Sequence, residues 1–246
     1  IQYILILFMI SGGINFSLYY LLIHGKLKKV ISNEELKLFL LIIFFSTLII
    51  AFILKVNFNY NWEKSIRDSL FQVVSIISTT GYITSNYELW PHATQWILLI
   101  LMLIGSSTGS TTGGIKVARI SIALKTSKQY INKILRPNSI HTVKFNGQSL
   151  SAETSNSVII FIFIFISTIL FGILIMVLSG MDVKSAAGAV ITTISCTGPG
   201  FFDVGATDNF SNIPAFGKYY LALNMIIGRL ELLSLLVLII PSFYKK

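Results

Sequence analysis

Apolar residues in this chain fall in long uncharged runs separated by short polar stretches. Residues 1–25, 38–54, 93–115 and 154–181 contain no Asp, Glu, Lys or Arg, and 219–240 contains only Arg229 and Glu231. Several runs reach the length of about 20 residues that a helix needs to cross a hydrocarbon core. The pattern predicts spans at 2–23, 36–56, 93–123 (interrupted near its middle), 155–179 and 214–240. Two further apolar helices, at 65–78 and 184–195, are too short to cross and are expected to be re-entrant. Residues 124–153 are polar and basic, and 203–212 reads as an extended polar loop.

The two short helices run into related turns. Ser75 to Thr84 returns as Thr192 to Gly200 at a constant offset of 117 residues, so that Ser78 falls on Ser195, Thr80 on Thr197 and Gly81 on Gly198. The order span, short helix with turn, span therefore occurs twice, after one leftover span.

Composition agrees with a membrane class: 54% of the 246 residues are hydrophobic and mean hydropathy is +0.76. A single cysteine excludes an internal disulfide, and His24, His92 and His141 lie in separate loops. The net charge of +9 could suggest nucleic acid, but its placement argues otherwise. Alternating sides at each span puts thirteen of the 19 Lys and Arg residues on one side and five on the other, with Arg229 inside a span. The positive-inside rule makes the richer side cytoplasmic. Both short helices then enter from outside, where Glu63, Asp68, Glu88, Asp182, Asp203 and Asp208 give a mildly acidic mouth. The chain starts at Ile1 inside an apolar run, does not read as a signal peptide, and is expected to be the later part of a longer protein.

A short helix ending in a small-residue turn between two spans is how a cation filter is built from backbone carbonyls. Gly81 and Gly198 permit the backbone angles such a turn needs. Thr79, Thr80 and Thr197 add hydroxyl oxygens, and the negative helix ends favour a cation. The plainer alternative is a glycine-terminated helix in a buried turn. In mid-span, Gly105, Ser106, Ser107, Thr108, Gly109, Ser110, Thr111, Thr112, Gly113 and Gly114 are poor helix formers. This stretch reads as an unwound gating loop, or as close packing through small residues. It is not a phosphate loop, because Ile115 separates Gly114 from Lys116. Arg229 in a span is expected to face a cavity or a partner; the 117 offset sets it opposite Thr112, beneath the filter.

At these residues the chain resembles the TrkH/TrkG/KtrB superfamily of potassium transporters, most closely the TrkH type. The resemblance is carried by Phe71 to Ser75, Thr79 to Tyr82, Gly109 to Val117, Thr197 to Gly200 and Gly228 to Leu233, with Gly12 to Phe16 fitting the end of a second repeat. It implies an all-α membrane protein of repeated span, re-entrant pore helix and span units. The parts would be 1–25, the last span of a preceding repeat; 36–123, a third pore repeat; 124–153, a cytoplasmic linker; and 154–246, a fourth. It implies filter positions at Thr79, Thr80, Gly81, Tyr82, Cys196, Thr197, Gly198 and Pro199, and a gate made of residues 105–114 with Arg229. It further implies a multi-pass protein of the inner cell membrane that takes up K⁺, works as a homodimer with its N-terminal half, and is controlled by a TrkA-type cytoplasmic nucleotide-binding ring. No enzyme activity, covalent cofactor or nucleic-acid partner is implied. Ile83 and Pro199 stand where a potassium channel has Gly and Tyr, which predicts a less strict filter: Rb⁺ should pass, and Na⁺ is a candidate. The gating stretch has a Thr where another Gly is expected, which predicts a stiffer loop. The alternative is an ion-coupled secondary transporter driven by protons or sodium.

Overall fold

The computed structural model describes residues 1–136 and 142–230, and helices form most of it. Helices α1 (Gln2–Gly13) and α2 (Phe16–Ile23) come first. The expected span at 2–23 is thus broken, with the two helices bent by 97°. Gly12 and Gly13 weaken the helix end, Ile14 is extended, and Asn15 starts a new helix by accepting the N–H of Ser17.

After the short α3 (Leu27–Ile31), α4 runs from Glu34 to Phe58. Asn33 caps it by accepting the N–H of Leu36 at 2.8 Å, and Asn59 ends it in the left-handed conformation. Helix α5 (Trp62–Ile77) follows. Then comes a 3-10 turn at Tyr87–Leu89 and α6 (His92–Leu103). Residues 104–116 carry no helix, and α7 (Val117–Leu135) resumes. The polar composition after residue 123 does not stop this helix, whose inner side carries Val117, Ala118, Ser121 and Ile122. It ends at Arg136, which precedes Pro137 and has left the helical conformation. Strands β1 (Lys144–Phe145) and β2 (Gln148–Ser149) form a hairpin around Asn146-Gly147, both at positive φ, as such a two-residue turn requires. The expected linker at 124–153 is therefore largely structured where described.

Helix α8 (Ala152–Leu178) is capped by Ser151. It leads to α9 (Val183–Ser195), capped by Asp182. The loop expected at 203–212 holds 3-10 turns at Phe202–Val204 and Phe210–Asn212, and α10 (Ala215–Arg229) closes the described chain. The rest of the expected last span, with Glu231, lies outside the described residues, as does His141.

Among the described residues α4 and α8 alone are single helices long and apolar enough to cross a membrane. Their outer faces expose Phe44, Phe52, Phe163 and Phe171. The core lies elsewhere. Every residue from Phe71 to Ile77 and from Gly188 to Ser195 is buried. Helix α5 packs against α4, α1 and α6; α9 packs against α8, α10 and α6. A helix end enclosed on all sides must satisfy its last carbonyls within the protein, and that requirement shapes the site.

Candidate functional site

Helices α5 and α9 end in the same way. Thr79 and Cys196 are left-handed, with φ of 49° and 54°. The N–H of Thr79 donates to Ile76 O and that of Thr80 to Ser75 O; the N–H of Cys196 donates to Thr193 O and that of Thr197 to Thr192 O. Both are Schellman endings, and every residue in one maps to the other at the 117 offset. A second match follows. Ser75 Oγ donates to Tyr82 O at 2.7 Å, and Thr192 Oγ1 donates to Pro199 O at 2.9 Å. One hydroxyl on each helix thus ties down the far end of its turn. Gly81 and Gly198 lie between, at φ of 78° and 101°.

The two turns touch. A Cβ on Gly81 would lie 2.4 Å from Thr197 O and 3.0 Å from Pro199 Cδ, whereas one on Gly198 would meet nothing within 4 Å. Around this contact Tyr82 is exposed and Pro199 half-buried. Ser78 and Thr80 share a hydrogen bond at 2.8 Å. Their counterparts Ser195 and Thr197 are buried, and their hydroxyls have no hydrogen-bond partner among the described residues.

Residues 104–116 lie under both turns. The N–H of Gly105 donates to Ile115 O, and that of Ile115 to Leu103 O. Ser106 Oγ donates to Ile77 O, the last carbonyl of α5, at 2.8 Å, and the N–H of Gly113 reaches Thr79 Oγ1 at 3.4 Å. A Cβ on Gly113 would lie 2.3 Å from Ser195 O, and one on Gly105 would lie 2.0 Å from Gly113 O. The matching carbonyl of α9, Ile194 O, is closed off by α10 at Gly228, where a Cβ would lie 1.9 Å away. On its other side the stretch bonds to the bend between α1 and α2: Ser107 N–H to Gly13 O, and Phe16 N–H to Gly109 O. Gly114 is left-handed and buried.

Thr112 knots the stretch together. Its hydroxyl lies 3.3 Å from the N–H of Ser106, 2.9 Å from Ser110 Oγ and 3.0 Å from Lys116 Nζ. Two cations hold consecutive carbonyls: Arg229 Nη1 donates to Thr111 O, and Lys116 Nζ to Thr112 O. Arg229 therefore reaches the stretch that the sequence set opposite it. It also lines an apolar cavity of 550 Å³ with Thr192, Cys196, Gly198 and Met225. Cys196 is half-buried there, its thiol 3.5 Å from Met225 O.

Sequence reasoning missed several participants. Neither Glu35 nor Lys116 is given a role by the sequence, yet each is 4% exposed. Glu35 accepts the N–H of Thr108 at 2.5 Å. The Ser75 and Thr192 latches were visible as hydroxyls at one offset. Nothing in the sequence marked Tyr87, fully buried with its hydroxyl 2.6 Å from Gly200 O.

A family model described as TrkH, Cation transport protein, matches residues 1–244. The chain belongs to the TrkH family. It is 30% identical, over its whole length, to the Trk system potassium uptake protein TrkH of Escherichia coli strain K12, covering 51% of that protein. Trk system potassium uptake protein TrkG of the same strain is 31% identical over 97% of the chain and 49% of the relative. TrkI of Halomonas elongata is 28% identical over 98% and 49%. A crystal structure of the potassium transporter TrkH from Vibrio parahaemolyticus matches with a TM-score of 0.91 at 28% identity, over 99% of this chain and 53% of that one. The family's members named here are transport proteins rather than enzymes. The chain spans about half the length of the curated relatives it matches.

Proposed function

We propose that this chain supplies two of the four sides of a gated, potassium-selective pore. The observation that carries the reading is the equivalence of the two turns: a left-handed residue at the same position, the same Schellman bonds and a hydroxyl latch at the same position, converging at Gly81 and Thr197. Partial ligand sets of this kind are what a ring of carbonyls divided among four chain segments requires. The relatives' names supply the ion, K⁺. On this reading Thr79 to Tyr82 and Cys196 to Pro199 are filter positions. The stretch 105–114, held by Arg229, is the gate. The N-terminal half supplies the other two sides, with the units 1–25, 36–123, 124–153 and 154–246 as parts of repeats two to four. A homodimer in the inner cell membrane, crossed several times, and a TrkA-type regulatory ring on the basic side complete the proposal.

The test is Rb⁺ tracer uptake into proteoliposomes holding the four-repeat protein, with Na⁺ as competitor. Gly81→Ser and Gly198→Ser should each weaken uptake or admit Na⁺. Uptake indifferent to both would leave the turns as structural helix endings and sink the reading.

A further inference from the structure

The second turn is held from outside its own repeat. Tyr87 lies in the loop after the first turn, 113 residues from Gly200. Its side chain is fully buried, its hydroxyl donates to Gly200 O at 2.6 Å, and its ring meets Phe201 edge-on at 5.2 Å. Position 204, the 117-offset counterpart of Tyr87, converges on the same residue, for the N–H of Gly200 donates to Val204 O at 2.8 Å. Both polar backbone groups of Gly200 are thereby fixed, one by each repeat.

Glu88 continues the contact. Its carboxylate lies against residues 202–206, with the backbone N–H groups of Phe202 and Ala206 close enough to favour its charged form. Phe202 has φ of 62°, a conformation that a bulky residue adopts only where its surroundings impose it. Gly205, the counterpart of Glu88, leaves the room: a Cβ there would lie 1.8 Å from Glu88 Oε1. One repeat's carboxylate occupies the space that a side chain in the other would need.

We infer that Tyr87 and Glu88 form a strut across the two repeats that sets the outer end of the 196–199 turn and so tunes its discrimination among monovalent cations. This rests on the filter reading above. Thr192 fixes the turn from its inner side through Pro199 O, and Tyr87 fixes it one residue further on. The number and spacing of coordinating carbonyls decide which ion is favoured, so a turn released at one end should discriminate less. Tyr87 and Glu88 are positioning residues: they act through Gly200 and Phe202, with no contact to the ion.

The experiment compares the Rb⁺ to Na⁺ uptake ratio of the four-repeat protein in proteoliposomes for Tyr87→Phe, Glu88→Ala, Gly205→Ala and the Glu88→Ala/Gly205→Ala pair, beside Gly198→Ser. Tyr87→Phe and Glu88→Ala should each lower the ratio about three- to tenfold, the range one lost hydrogen bond supports, with Rb⁺ uptake itself retained. Gly205→Ala should do the same, and the pair should be no worse than Gly205→Ala alone, because shortening Glu88 relieves the clash. If Gly198→Ser shifts the ratio while Tyr87→Phe and Glu88→Ala leave it unchanged, the strut is only structural and the inference falls. If Gly198→Ser and Gly81→Ser also change nothing, the filter reading falls with it. Tyr87→Phe removes a single oxygen and carries the test if Glu88→Ala does not fold. Its second readout is the difference in thermal midpoint between K⁺ and Na⁺ in detergent, which should shrink; an unchanged difference also overturns the inference.

Discussion

Glu35 Oε1 accepts the backbone N–H of Thr108 at 2.5 Å, joining the first turn of α4 to the stretch that underlies both turns. The neighbouring Glu34 pairs with Lys125 of α7, and its own N–H donates to Asn146 of the hairpin. One helix end thus supports the 104–116 stretch and the polar hairpin together. Removing the Glu35 acceptor should cost more than an exposed carboxylate would, because the side chain is buried. For Glu35→Ala we expect a loss of about 1.5–3 kcal/mol, the usual worth of a hydrogen bond to a charged group. Glu35→Gln, which keeps an acceptor, should cost less. Thermal unfolding in detergent checks the order, and equal midpoints for both variants and the parent would refute it.

Gly81 and Gly198 make an internal comparison. Both need positive φ, but only Gly81 is crowded, by Thr197 O. Gly198→Ala should carry backbone strain alone, about 1–3 kcal/mol. Gly81→Ala adds a backbone clash that no rotamer relieves, so it should be the more damaging. Unfolding midpoints of the two variants test this; a Gly198→Ala protein that is the less stable of the two contradicts it.

Arg229 and Thr112 hold the underlying stretch from two sides. If that stretch obstructs the pore, loosening it raises flux. Arg229→Gln should increase Rb⁺ uptake, since a guanidinium beneath the turns also repels cations. Thr112→Val removes three hydroxyl contacts without altering charge and should increase uptake less. Uptake measured in the absence of any regulator separates the cases, and reduced flux in both variants would mean that the stretch supports the pore rather than closing it.

Burial and the nearby Asp208 raise the pKa of Glu88 above the ordinary carboxylate value of 4.5, against the lowering effect of the backbone N–H groups of Phe202 and Ala206 nearby. The sign follows from linkage. A raised folded value stabilises fully below the unfolded value, and the contribution disappears as pH rises through the folded one. The parent should therefore lose stability relative to Glu88→Gln as pH rises from below 4.5. Parallel midpoints across that range would show that Glu88 does not titrate differently on folding.

The two short helices were legible in the sequence because their signal is local. Apolar length marks them as too short to cross, and Ser, Thr and Gly mark their ends; the observed α5 and α9 end where the turns begin. Helix breakage was less legible. The ten small residues announced the break at 104–116. The 97° bend at Ile14 and Asn15 was hidden within an apolar run, where hydropathy registers length and not direction. Polar composition likewise gave no warning that α7 continues to Leu135, since lysine and glutamine are good helix formers.

By itself the sequence determined the class, the order of helices and the pairing of the two turns. These depend on side-chain type at fixed spacing, and a repeated backbone ending keeps its glycine and a latching hydroxyl at the same offset. Only the tertiary structure decided which oxygen meets which glycine: Thr197 O at Gly81, Ser195 O at Gly113, Tyr87 on Gly200. The partners in those contacts are between 82 and 116 residues apart in the chain. No local pattern encodes such a meeting; close packing of α6 against both α5 and α9 fixes it.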